Sequence, residues 1–118
     1  MKASRALLAL LVLAGCSQPA QNTASDAAAR EAGAFEPLKT KYKPVITGID
    51  VKGTTLDLFV DADRLSSMDE PVEDQMKAEA LTRWQKVWKA DHAGRHATLR
   101  VRLRNYFGEV QFSESAKV

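Results

Sequence analysis

The chain has 118 residues, 45% of them hydrophobic and 27% charged, which leaves room for one small domain and excludes a large multi-part active site. Its formal charge of +2 comes wholly from Lys2 and Arg5, so the rest of the chain has no global field to draw it to nucleic acid or acidic polymers. The single cysteine, Cys16, excludes an internal disulfide framework, and stability must come from packing.

Lys2 and Arg5 precede an apolar run from Ala6 to Ala14, and small residues lead up to Cys16. A positive start, a short apolar stretch and a small-residue site are the layout of a cleaved secretory signal. The run falls well short of the roughly 20 residues a membrane-spanning helix needs. Within this frame Leu13-Ala14-Gly15-Cys16 resembles the lipobox of bacterial lipoproteins. The resemblance implies that signal peptidase II removes residues 1–15 and that Cys16 is diacylated and usually acylated again. Two or more acyl chains hold a protein stably where one does so marginally, at about 0.8 kcal/mol per buried methylene. By the same resemblance, Ser17 is not the aspartate that commonly retains such proteins in the inner membrane. The implied location is the outer membrane, facing the periplasm.

From Ser17 to about Glu36 the residues are mainly Ala, Ser, Gln, Asn and Thr with scattered charges, too few apolar groups to bury surface. Residues 16–36 therefore read as a lipidated cysteine followed by a flexible tether, spanning roughly 25 Å as a coil. Ala27 to Ala32 allows a helical turn or two without a persistent apolar face. Pro37 and Pro44 bracket the start of the domain expected over residues 37–118.

Val45 to Lys52 carries branched residues in a rough period of two, and Thr54 to Ala62 alternates more cleanly, with Leu56, Leu58, Val60 and Ala62 against Asp57, Phe59 and Asp61. Lys52-Gly53-Thr54 joins the two strands as a hairpin. Asp61-Ala62-Asp63 reads as the polar end of the second strand. A helix is predicted from about Asp69 to His92, with acidic residues and Pro71 in its first turns and Gly94 as its stop. Val72, Met76, Ala80, Trp84 and Trp88 recur every four residues, widened by Leu81 and Val87, and form its buried stripe. From Arg95, Ala97, Leu99, Val101 and Leu103 alternate with His96, Thr98, Arg100, Arg102 and Arg104 as a third strand. A short last strand around Glu109 to Phe112, or a bulge in one longer strand, completes the chain. The expected fold is α+β, a small β-β-α-β unit with one helix packed on one face of an antiparallel sheet. A right-handed crossover would set the third strand beside the first.

Arg100, Arg102 and Arg104 stand about 7 Å apart along the face away from the helix. They suit carboxylates or phosphates of a partner, of lipid A or of peptidoglycan, but the favoured reading is cross-strand pairing with Asp50, Asp57 and Asp61 on the same face. Tyr106 and Phe107, at a predicted turn, are candidates for an exposed contact. Trp84 and Trp88 would make a sugar platform only if exposed, and their stripe marks them as core. Asp91, His92 and His96 are separated by Gly94 and lack a fourth ligand, so no metal is expected. No cofactor is implied. Serines, histidines and acids are present without a nucleophile elbow or oxyanion loop, and paired carboxylates without a cleft.

These features point to a non-enzymatic, lipid-anchored periplasmic interaction domain, an accessory or assembly subunit of a cell-envelope complex. Its partners would be the membrane, through Cys16, and an envelope protein. Two other roles suit the same layout: an inhibitor or immunity protein against an envelope hydrolase, and a binder of cell-wall or glycolipid anions through the arginine face. The sequence leaves oligomeric state open.

Overall fold

The computed structural model describes residues 26–118. The expected signal peptide, Cys16 and the first part of the tether lie outside these residues. Eight elements follow in chain order: α1 (26–33), α2 (Glu36–Lys41), β1 (Ile46–Lys52), β2 (Thr55–Val60), α3 (Ala62–Ser66), α4 (Glu70–Asp91), β3 (Thr98–Arg104) and β4 (Val110–Lys117). Together they form an α+β fold in which α4 packs on one face of a four-stranded sheet. No helix among the described residues is long and apolar enough to cross a membrane.

Alternation dictates the layers. Leu56, Leu58 and Val60 of β2 and Leu99, Val101 and Leu103 of β3 point to one face and are buried against Met76, Ala80, Trp84 and Trp88 of α4. Trp84 also satisfies its polar edge, donating from Nε1 to the Thr54 carbonyl at 3.0 Å. The helix caps fall at Asp69 and His92, as the sequence predicts, and Gly94 at φ 78° ends the connection. Val72 departs from the predicted stripe: it is 41% exposed, and burial on α4 begins one turn later at Met76. The first hairpin is closed by Gly53 at φ 59° with Lys52 opposite Thr55, the first turn position where a type II′ connection asks for glycine.

The strand order is β1-β2-β3-β4, with β2 and β3 parallel and the outer pairs antiparallel. The sheet is thus mixed, and the third strand lies beside the second instead of the first. The physical reason is burial. β2 and β3 carry the most apolar inward faces, and Asp57 of β2 is buried as well, so both strands require neighbours on both edges. β1, with exposed Thr47 and Lys52, takes one rim. β4 takes the other, longer than predicted and largely exposed along its length.

The N-terminal boundary also differs from the sequence reading. Residues 26–33 are helical, and Phe35 is fully buried, meeting Trp84 edge-on at 6.1 Å between ring centres. The domain therefore reaches back at least to α1, and the tether cannot extend to residue 36. Arg83 donates to the Ala34 carbonyl at 3.1 Å. Glu79 of α4 accepts hydrogen bonds from Lys41 and Tyr42, which clasps the end of α2.

Candidate functional site

The sheet face away from α4 carries two structures, an ion-paired centre and an aromatic-lined groove at the end of β2 and β3. At the centre Asp57 is 1% exposed and lies directly across from Arg102 in the parallel register. Arg102 donates from Nε to Oδ1 at 2.7 Å and from Nη2 to Oδ2 at 2.9 Å. Arg104 adds a third bond to Oδ2 at 3.1 Å and donates from Nε to the Gly108 carbonyl at 3.0 Å. Burial by itself would raise the Asp57 pKa, but the hydrogen bonds from Arg102 and Arg104 outweigh it and hold the carboxyl below its ordinary value.

This geometry divides the arginine row. Arg102 and Arg104 are committed to Asp57, because a buried carboxylate needs compensating donors. Arg100 is exposed, and its side chain makes no hydrogen bond or ion pair to another side chain among the described residues. The other two aspartates expected opposite the row act elsewhere. Asp50 lies 3.6 Å from Lys52. Asp61 caps α3, accepting from the amides of Asp63 and Arg64 at 3.1 and 3.2 Å, and so begins a helix where the sequence reading placed the end of a strand.

The β3–β4 turn holds Tyr106 and Phe107 in water at 93% and 82% exposure. The turn itself is well bonded. Asn105 N–H donates to the Glu109 carbonyl and its side-chain oxygen accepts from the Phe107 and Glu109 amides, all at 2.9–3.0 Å. Gly108 sits at φ 82°, where a Cβ would lie 2.9 Å from an Arg104 nitrogen, so only glycine fits this position unstrained. The two rings meet edge to face, 5.6 Å apart at 87°.

Beside this turn lies an open groove of about 740 Å³ lined by Phe59, Thr47, Gly48, Asp61 and Asp63 as well as the two aromatics. Gly48 lies in its floor against Phe59, at the irregularity where β1 shifts register against β2, and a Cβ there would stand in van der Waals contact with the ring. Thr47 Oγ1 donates to the Phe59 carbonyl at 3.2 Å. Sequence reasoning found Tyr106 and Phe107 but not the groove beside them. The signal was Gly48, since a glycine within a strand marks a bulge or a close approach.

The remaining candidates disperse. His92 stacks on Trp88 at 4.4 Å between ring centres and lies 3.7 Å from Glu31, whereas His96 lies 3.2 Å from the Val118 carbonyl. Among the described residues no three potential metal ligands gather. Trp84 and Trp88 are buried and offer no platform to a sugar. Cys16 lies outside the described residues.

No family model matches the sequence, and no curated protein does. Among solved structures, the type II secretion system pilotin AspS from Vibrio cholerae is similar at 15% identity and a TM-score of 0.37, over 78% of this chain and 89% of that one. A likeness of that size carries over neither fold nor activity.

Proposed function

We propose that this chain is a non-enzymatic, lipid-anchored interaction domain of the bacterial cell envelope, acting as an accessory or assembly subunit at the periplasmic side of the outer membrane. The observation that carries the interaction role is the pair Tyr106 and Phe107, both more than four-fifths exposed on a turn whose backbone is fixed by its own hydrogen bonds. Large aromatic groups held side by side in water, with their backbone ordered in advance, are the anchors that binding surfaces use. The anchoring role rests on the lipobox resemblance at Leu13 to Cys16. The commitment of Arg102 and Arg104 to Asp57 leaves little of the arginine face for anions, which favours a protein partner over a glycolipid.

The test is cross-linking in intact membranes, comparing the full chain with its Cys16→Ser variant. A stoichiometric envelope protein recovered with the anchored form alone is the expected result. Loss of membrane association in the variant would accompany it. Recovery of glycan or lipid without a protein overturns the proposal, and a captured hydrolase that the chain silences would convert it into an inhibitor role.

A further inference from the structure

The groove beside the aromatic turn has a chemistry that selects among occupants. Its apolar surface comes from Phe59, Tyr106 and Phe107 and its charge from Asp61 and Asp63. Arg104, 5.8 Å from the centre of the Phe59 ring, shares the single charge of Asp57 with Arg102 and is turned to the Gly108 carbonyl. Asp57 balances one of these two guanidinium charges and the groove's two lining carboxylates outnumber the other, so the balance is negative and disfavours phosphate, lipid A and anionic headgroups. The surface complements an apolar group carried next to a positive charge.

Resting on the interaction role argued above, we infer that this groove is the partner-docking surface and that its occupant is a protein segment presenting a bulky apolar side chain beside a lysine or arginine. The apolar group seats between Phe59 and the Tyr106–Phe107 pair, and the cation meets Asp63. Asp63 is the better counter-charge of the two acids, because the carboxylate of Asp61 is engaged in capping α3 while the Asp63 residue contributes only backbone groups to local hydrogen bonds. The open groove, at about 740 Å³, has room for one bulky side chain and its neighbour. The rigid turn adds to affinity by removing the ordering cost of the two aromatics.

The test is selection of displayed random peptides on the full-length chain in detergent, followed by binding to the Y106A/F107A pair and to Asp63→Lys. The substituted side chains are exposed, so each variant is expected to keep its far-ultraviolet spectrum and melting temperature, and this is checked first. The expected outcome is enrichment of aromatic or branched residues adjacent to Lys or Arg. Affinity should fall about thirtyfold in the aromatic double variant, the loss of a hot-spot anchor, and about tenfold on charge reversal. Peptides lacking basic residues, or equal binding to Asp63→Lys, overturn the inference. So does Phe107-dependent binding to zwitterionic phospholipid vesicles with no peptide selected, which would make the turn a membrane contact. An envelope partner captured by the anchored chain but indifferent to all three substitutions overturns this surface and leaves the interaction role standing. Absence of any envelope protein partner fails that role itself.

Discussion

Asp57 shows how one residue governs the open face of the sheet. Its carboxylate is buried yet takes three hydrogen bonds from two guanidinium groups, so Asp57→Asn would leave both cations without a counter-charge. Because Arg102 and Arg104 remain about a quarter to a third exposed, the cost is less than for a fully buried pair, roughly 2–3 kcal/mol, measured as a shift in urea midpoint. Arg100→Ala, with no partner to lose, should change stability by less than about 0.5 kcal/mol. The lowered Asp57 pKa gives a pH signature of definite sign. The stabilisation is fully present above the unfolded carboxyl value of about 3.9 and is lost as pH falls below it through the folded value. In Asp57→Asn that part of the acid limb should disappear from a stability profile. The sequence made the pairing legible as one of two uses of the arginine row. It did not say which aspartate, because alternation reveals the face of a side chain and not the strand beside it.

At the scale of elements, α1 and α2 were the least visible, because their alanines and lysines make no apolar periodicity and Phe35 is a single buried anchor between them. Phe35→Ala should cost about 3–5 kcal/mol and raise hydrogen exchange across residues 26–41 before the sheet opens. A chain trimmed to begin at residue 37 should melt lower than one beginning before residue 26. α1 docks through an uncomfortable group: Glu31 is 3% exposed, and its Oε2 has no hydrogen-bond partner. Burial raises the Glu31 pKa, partly offset by His92 at 3.7 Å, while Asp91 adds to the rise and Arg30 opposes it. A raised carboxyl favours the folded state below the unfolded pKa, and that contribution is lost as pH climbs through the folded one. Glu31→Gln should therefore stabilise α1 docking at neutral pH by roughly 1 kcal/mol and flatten the pH dependence of exchange in residues 26–33. The strong elements, by contrast, were legible to within three residues: α4 from its four-residue spacing, and β2 and β3 from their alternation.

For the whole molecule, the α+β layering followed from pattern while the strand order did not. A hairpin, a helix and a third strand are compatible with docking on either side of the hairpin, and only the buried Asp57 opposite the arginine row distinguishes them. Parallel pairing of β2 with β3 makes these two strands the stability core. Their Leu56, Leu58, Val101 and Leu103 amides should exchange at the rate of global unfolding, with β1 and β4 faster. The same topology gives the domain a direction. α1 lies against the C-terminal end of α4, through Arg30 with Asp91 and Glu31 with His92, and that is where β3 starts. Tyr106 and Phe107 come after β3 ends, so its seven residues set them roughly 23 Å away from the end of the sheet where β3 starts. With Cys16 anchored and a partner at the aromatic turn, as proposed above, the domain would be a stand-off, holding that partner off by a length of sheet that the fold itself sets.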